Sequence, residues 1–178
     1  MLAWLKQGRD RHRNARRLYG SIVTQARSRG FYADWGVPDT VEGRFEMIAL
    51  HLVVVLRRLA TVDGADRRLG QALTEVFVAD IDDSLREMTV GDLAVPRQVK
   101  RAVAALHDRH DTYGAAFAAT SDAPLTAAVE ARLSGLPAAE GLDAGRICAY
   151  IREANRALDV LSGAEVIAGR MGWPPVGR

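Results

Sequence analysis

The run Asp80-Ile-Asp82-Asp83-Ser-Leu-Arg86-Glu87 is the sharpest polar feature of the 178-residue chain. On a helix, Asp80, Asp83 and Glu87 share one side, and Asp82 stands four residues before Arg86, the spacing of an intrahelical ion pair. Such a face can stay solvated, recognise a basic segment of another polypeptide, or hold magnesium for diphosphate chemistry as in helical isoprenoid synthases. The last use needs a second acidic cluster across a cavity, and none is found in the sequence. His51 lies in the most apolar stretch, so its imidazole must be hydrogen-bonded or bear the cost of desolvation. It is read as a satisfied core histidine, because haem ligation from a lone helical histidine lacks a matching second ligand. His107 and His110 share a face beside Asp108 and Asp111 but have no recognisable zinc spacing. Cys148, the only cysteine, excludes an intramolecular disulfide and points to a reducing, cytoplasmic compartment. No phosphate-binding glycine loop, nucleophile elbow, paired-cysteine motif or dinucleotide fingerprint occurs. A binding protein is therefore expected, with no catalytic residue, no metal site and no cofactor.

Charge is placed unevenly. The chain carries +2 overall, yet Lys6, Arg9, Arg11, Arg13, Arg16, Arg17, Arg27 and Arg29 are opposed only by Asp10 among the first thirty residues. Arg9, Arg11, Arg13, Arg16 and Arg17 are thus candidates for contact with an anionic surface, either a ribosome or a membrane, through a salt-sensitive attraction. A solvated basic face with no partner is the other reading, and DNA is not an expected partner. The start, Met1-Leu-Ala-Trp-Leu5, lacks the apolar core and cleavage site of a secretory signal and is read as mature protein. Leu52 to Leu56, the longest strongly apolar stretch, is far short of the roughly 20 residues that span a bilayer. A cytoplasmic protein, at most peripheral at the inner face of the membrane, is expected.

The elements that must position these groups follow from apolar spacings of three and four, with no alternation of period two. A first helix is expected from about Arg11 to Arg27, docking through Ala15, Leu18, Ile22, Val23 and Ala26. Phe31-Tyr-Ala-Asp-Trp35-Gly-Val-Pro38 reads as an ordered aromatic loop broken by Gly30, Gly36 and Pro38. Asp39 and Glu42 then suggest a capping box for a helix of about 40–60, apolar almost all round in its second half and hence central. Arg57 and Arg58 in its last turns oppose the negative end of the dipole. A third helix is expected over 66–88, a turn at Thr89–Val95, and a fourth helix from Pro96 to about Ala119 with Val99, Val103, Leu106, His110, Tyr113 and Phe117 facing inward. A shorter helix to about Leu133 follows, then a last long helix after Asp143 with Ile147, Ile151, Ala154, Leu158 and Leu161 facing inward, before a brief turn past Gly163 and a frayed or docked Trp173-Pro-Pro tail. The fold class is all-α: a single-domain bundle of six to seven helices around the buried central helix. Residues 1–10 are assigned to a flexible basic segment, 11–170 to the domain and 171–178 to a tail.

Two blocks carry a resemblance. Asp39-Thr-Val-Glu-Gly-Arg-Phe-Glu-Met-Ile48, followed by Leu50-His51 and Val55-Leu-Arg-Arg-Leu59, resembles the signature of the ubiquinol-cytochrome c chaperone family. Asp82-Asp-Ser-Leu-Arg-Glu-Met88, with Val90-Gly-Asp-Leu93, Val95-Pro96 and Val99-Lys100, is similar to the block that family places about thirty residues further on. The likeness covers roughly residues 17–160. It implies a bacterial relative of the mitochondrial chaperone that receives newly made cytochrome b and helps it enter the bc1 complex. In mitochondria the family member works with a small partner protein near the ribosomal tunnel exit. The client-binding surface is placed on Asp80, Asp82, Asp83, Arg86, Glu87, Gly91, Asp92 and Leu93. The alternatives are a helical diphosphate enzyme using the Asp80–Glu87 cluster, and an RNA- or ribosome-binding module acting through the basic first helix.

Overall fold

The computed structural model describes residues 2–62, 67–87 and 94–177, and among these it contains helices and no strand. The order is α1 (Leu2–Ala26), α2 (Arg29–Ala33), α3 (Val41–Thr61), α4 (Arg67–Glu87), α5 (Val95–Ala118), α6 (Ala123–Leu133), α7 (Ala144–Asp159) and α8 (Gly163–Ile167). Six are long, while α2 and α8 have five residues each. The all-α bundle is thus present. The turn expected at Thr89–Val95 lies mostly outside the described residues, as do Gly91, Asp92 and Leu93.

Helix α3 is the centre because it has no polar side to offer to water. Every residue from Glu46 to Val55 is buried, and α3 touches α1, α4, α5, α6 and α7. Each fully buried leucine or valine in that stretch contributes about 1.5–3 kcal/mol relative to exposure, so enclosure on all sides is the stable solution. The remaining long helices are amphipathic and lay one stripe on the core. In α1 the stripe is Ala15, Leu18, Ile22 and Ala26, and in α7 it is Ile147, Ile151, Ala154 and Leu158.

Local differences from the sequence reading have physical causes. Helix α1 begins at Leu2 and not near Arg11, since no proline lies upstream and the one glycine, Gly8, costs only about 1 kcal/mol. The aromatic loop contains one helical turn, α2, and its aromatics are anchors: Phe31 and Trp35 are buried and stack edge to face at 5.3 Å. Gly36 has φ of 67°, and a side chain there would strike the Gly141 carbonyl at 2.4 Å. That close approach lets the Asp143 amide donate to the Trp35 carbonyl at 2.9 Å.

The expected Asp39–Glu42 capping box does not form. Thr40 is the N-cap of α3, accepting from the Gly43 amide at 3.1 Å, and Asp39 instead takes the Arg44 guanidinium at 2.6 Å. Asp143 caps α7 as its position suggests, accepting from the Arg146 amide. Ser162 and Glu165 form the capping box of α8, a Ser-x-x-Glu signature that was readable in the sequence and missed. Arg58 reaches past its own helix to bond the Leu158 and Leu161 carbonyls at 2.9 and 2.6 Å, closing the end of α7. Arg57 lies over the Phe117 ring at 4.7 Å.

Candidate functional site

The acidic run sits on the last turns of α4, but its members do not act as one face. Asp80 is half-buried and accepts a hydrogen bond from the Tyr19 hydroxyl of α1 at 2.8 Å. Burial and the neighbouring Asp80 carboxylate push the Tyr19 phenol far above its ordinary range, so it remains a neutral donor. Asp80 keeps the helical register with Asp83 and Glu87 that the spacing predicts, but α1 packs along α4 and covers it in part. Asp82 and Arg86 form the expected pair at 2.7 Å, and Asp83 and Glu87 are exposed. Among the described residues, no three histidine, cysteine, aspartate or glutamate side chains meet in a way that could hold a metal ion. His107 and His110 point to solvent, His110 lying 3.6 Å from Asp111.

The basic candidates also divide. Arg9, His12, Arg13 and Arg16, with Arg17 at the edge, form an exposed strip along α1, opposite the core stripe. Arg13 is paired with Asp10 at 2.7 Å. Arg11 is half-buried and engaged, so it does not belong to the strip. Helical register carries the strip on to Gly20 and Arg27, about 27 Å from Arg9 at 1.5 Å per residue.

Two polar clusters in the interior were not assembled by sequence reading. Glu46 of α3 is buried with a side chain 3% exposed, and Arg109 of α5 meets its Oε2 with Nε at 2.9 Å and Nη2 at 2.8 Å. The Tyr113 hydroxyl donates to Oε1. His110, expected in the core stripe of α5, gives way to Arg109 because the buried carboxylate selects the guanidinium. A glutamate in the midst of an apolar run was the available signal, and it called for a cation elsewhere in the chain.

The second cluster surrounds His51. Its Nδ1–H donates to the Met47 carbonyl at 2.7 Å, leaving Nε2 to accept from the Tyr150 hydroxyl at 3.0 Å. Gln25 completes the chain by donating to the Tyr150 oxygen at 2.9 Å and to the Pro174 carbonyl at 3.0 Å. His51 is thus a satisfied core histidine, and burial pushes its pKa down to about 4.

The tail closes over this network. Trp173 packs edge-on against His51 at 5.3 Å and donates to Ser21 Oγ at 2.9 Å, while Met171 and Pro174 are buried. Beyond it, Val176 lies on Gly30 so closely that a β-carbon there would stand 2.9 Å from Val176 Cγ1 and 3.0 Å from its carbonyl oxygen. Gly30→Ala is expected to favour helix α2 locally yet lift the tail, at an overpacking cost of about 1–3 kcal/mol. Faster amide exchange at residues 173–177, with α7 still protected, is the signature. Unchanged exchange would show that the contact does not hold the tail.

No helix among the described residues is long and apolar enough to cross a membrane. The family model for ubiquinol-cytochrome C chaperones matches residues 33–173. That span takes in α3 to α8, the buried Glu46–Arg109 pair and Trp173. The crystal structure of the Cbp3 homolog from Brucella abortus is similar, with a TM-score of 0.82 and 31% identity over 99% of this chain and 98% of that one. No curated protein matches the chain. The two sequence blocks, the helical bundle and these likenesses agree: the chain belongs to the ubiquinol-cytochrome C chaperone family.

Proposed function

We propose that the protein is an assembly chaperone in the cytoplasm or at the inner face of the membrane, binding newly synthesised cytochrome b and promoting its entry into the bc1 complex. Membership of the chaperone family carries this reading. The exposed end of α4, with Asp82, Asp83, Arg86 and Glu87, supports it as the surface that meets the client; Gly91, Asp92 and Leu93, assigned to the same surface from the sequence, lie outside the described residues. Asp80, held by Tyr19, supports that surface from behind. An acidic strip suits the basic loops that flank membrane helices on the cytoplasmic side. Loss of the gene should lower assembled bc1 complex, and normal levels of complex and of cytochrome b would refute the role.

The double substitution Asp82→Arg with Asp83→Arg reverses the field at solvent-facing positions without touching the core. Co-purified cytochrome b is expected to fall at least about fivefold, since like-charge juxtaposition costs several kcal/mol, while the far-UV circular dichroism stays the same. Undiminished capture would place the client elsewhere. The basic strip of α1 supports a second contact, with a ribosome or an anionic membrane surface. Its neutralisation should flatten the salt dependence of co-sedimentation with either.

A further inference from the structure

The α1 strip ends in a bounded feature of different character. Where α1 gives way to α2 and the chain returns to start α3, Arg27, Arg29 and Arg44 line a cleft of about 230 Å³ together with Tyr32 and Asp39. The three guanidinium groups come from two stretches of chain, Arg27 and Arg29 from the α1–α2 junction and Arg44 from α3. One acid answers them: Asp39 binds Arg44 through Nε at 2.6 Å, in a pair whose side chains are 53% and 58% exposed. Neither Arg27 nor Arg29 is paired with a carboxylate among the described residues. The cleft therefore holds two uncompensated positive charges and a set of open N–H donors. Tyr32 is a wall and not a ligand, because its hydroxyl donates to the Ala26 carbonyl at 2.8 Å.

We propose that this cleft binds a phosphate group. A guanidinium fork is satisfied by two oxygens in one plane, so a carboxylate fills one fork. A phosphate presents three or more oxygens in different directions and can bridge forks that approach from different walls. Arg27 and Arg29, at the end of α1 and the start of α2, are the free forks. Arg44 is a reserve donor, since an exposed pair of this kind holds it only weakly and a dianion can draw it from Asp39. Asp39 opposes anion entry by its own charge, which makes it a built-in restraint on affinity. Occupancy would tie α1, α2 and α3 together at one point. The site stands independently of client capture, so either can fail without the other.

The test uses the full-length protein and two probes. Inorganic phosphate is titrated in calorimetry and in amide chemical-shift mapping at constant ionic strength, and vesicles of phosphatidylcholine with and without phosphatidic acid are used in flotation. Saturable phosphate binding is expected, weakened at least about tenfold by Arg27→Gln with Arg29→Gln and left unchanged by Arg9→Gln, Arg16→Gln and Arg17→Gln together. Asp39→Asn should tighten it several-fold, an effect that a merely structural Asp39–Arg44 pair would not produce. If free phosphate does not saturate but flotation on phosphatidic acid is lost in the Arg27/Arg29 variant, the phosphate is that of a lipid headgroup. Binding that survives the Arg27/Arg29 substitutions, or depends only on Arg9, Arg16 and Arg17, overturns the proposal, as does the absence of binding to both probes.

Discussion

Arg109→Met is expected to lower the free energy of unfolding by about 3–5 kcal/mol, because it leaves the Glu46 carboxylate buried against apolar side chains with its countercharge gone. The guanidinium gives Glu46 one of its two hydrogen bonds from α5 and a second close ion-pair contact through Nη2, and it also packs 5.4 Å from the Phe45 ring. Methionine matches the stem of arginine but supplies no donor. The loss belongs to the orphaned charge and not to the pair as such, since a buried ion pair contributes little net stability over apolar residues of similar shape. Adding Glu46→Gln to Arg109→Met should therefore recover part of the loss, because the amide is neutral and still accepts from Tyr113. Urea unfolding of the single and double variants gives the coupling directly. A cost below about 1 kcal/mol for Arg109→Met would mean that Glu46 finds water or another partner, contrary to its enclosure.

Acidification from pH 6.5 to about 4 is expected to remove about 3 kcal/mol of stability through His51 alone. In the unfolded chain this imidazole takes up its proton near its ordinary value of 6.5, whereas in the fold it does so only at about 4. Between those values the unfolded state binds more protons, so stability falls as pH falls; above pH 6.5 the contribution is constant, and below about 4 it is already lost. Burial explains the depression: a charged ring would be stripped of water in a site lined by Phe31 and Trp173, a cost that the Nδ1 hydrogen bond to the Met47 carbonyl offsets only in part. His51→Gln should flatten the slope of unfolding free energy across this window whatever it does to the absolute stability. Parallel slopes for wild type and variant, measured by urea unfolding at intervals between pH 7 and 4, would remove His51 as the acid-sensitive group.

These two sites also mark the limit of what could be read from the residues in order. The central helix was legible because Met47 to Val55 is apolar on every side, apart from His51, and only enclosure satisfies such a segment. Charge asymmetry, the Asp82–Arg86 pair and the two family blocks were likewise visible, being relations between residues a few positions apart. The partner of Glu46 was not. Arg109 and His110 are adjacent, both stand at helical spacing from Leu106 and Tyr113, and periodicity alone cannot choose between them. Asp80 posed the same problem, since its burial depends on Tyr19, sixty-one residues away. Trp173 carried no local signal of docking, because Ser21 of α1 and His51 of α3 receive it, with Gln25 of α1 holding the neighbouring Pro174 carbonyl.

The sequence by itself thus determined an all-helical chain with a buried helix near residues 40–60, a basic first helix, an acidic helix after the buried one and the stamp of its family. Those properties rest on a period of 3.6 residues and on local charge, which act within a turn or two. Only the tertiary structure decided which polar side chains turn inward, where the tail lies and that Arg27, Arg29 and Arg44 meet at one cleft. A buried charge or imidazole is stable only opposite a partner with matching hydrogen bonds, and that partner is supplied by whichever distant helix the packing brings alongside.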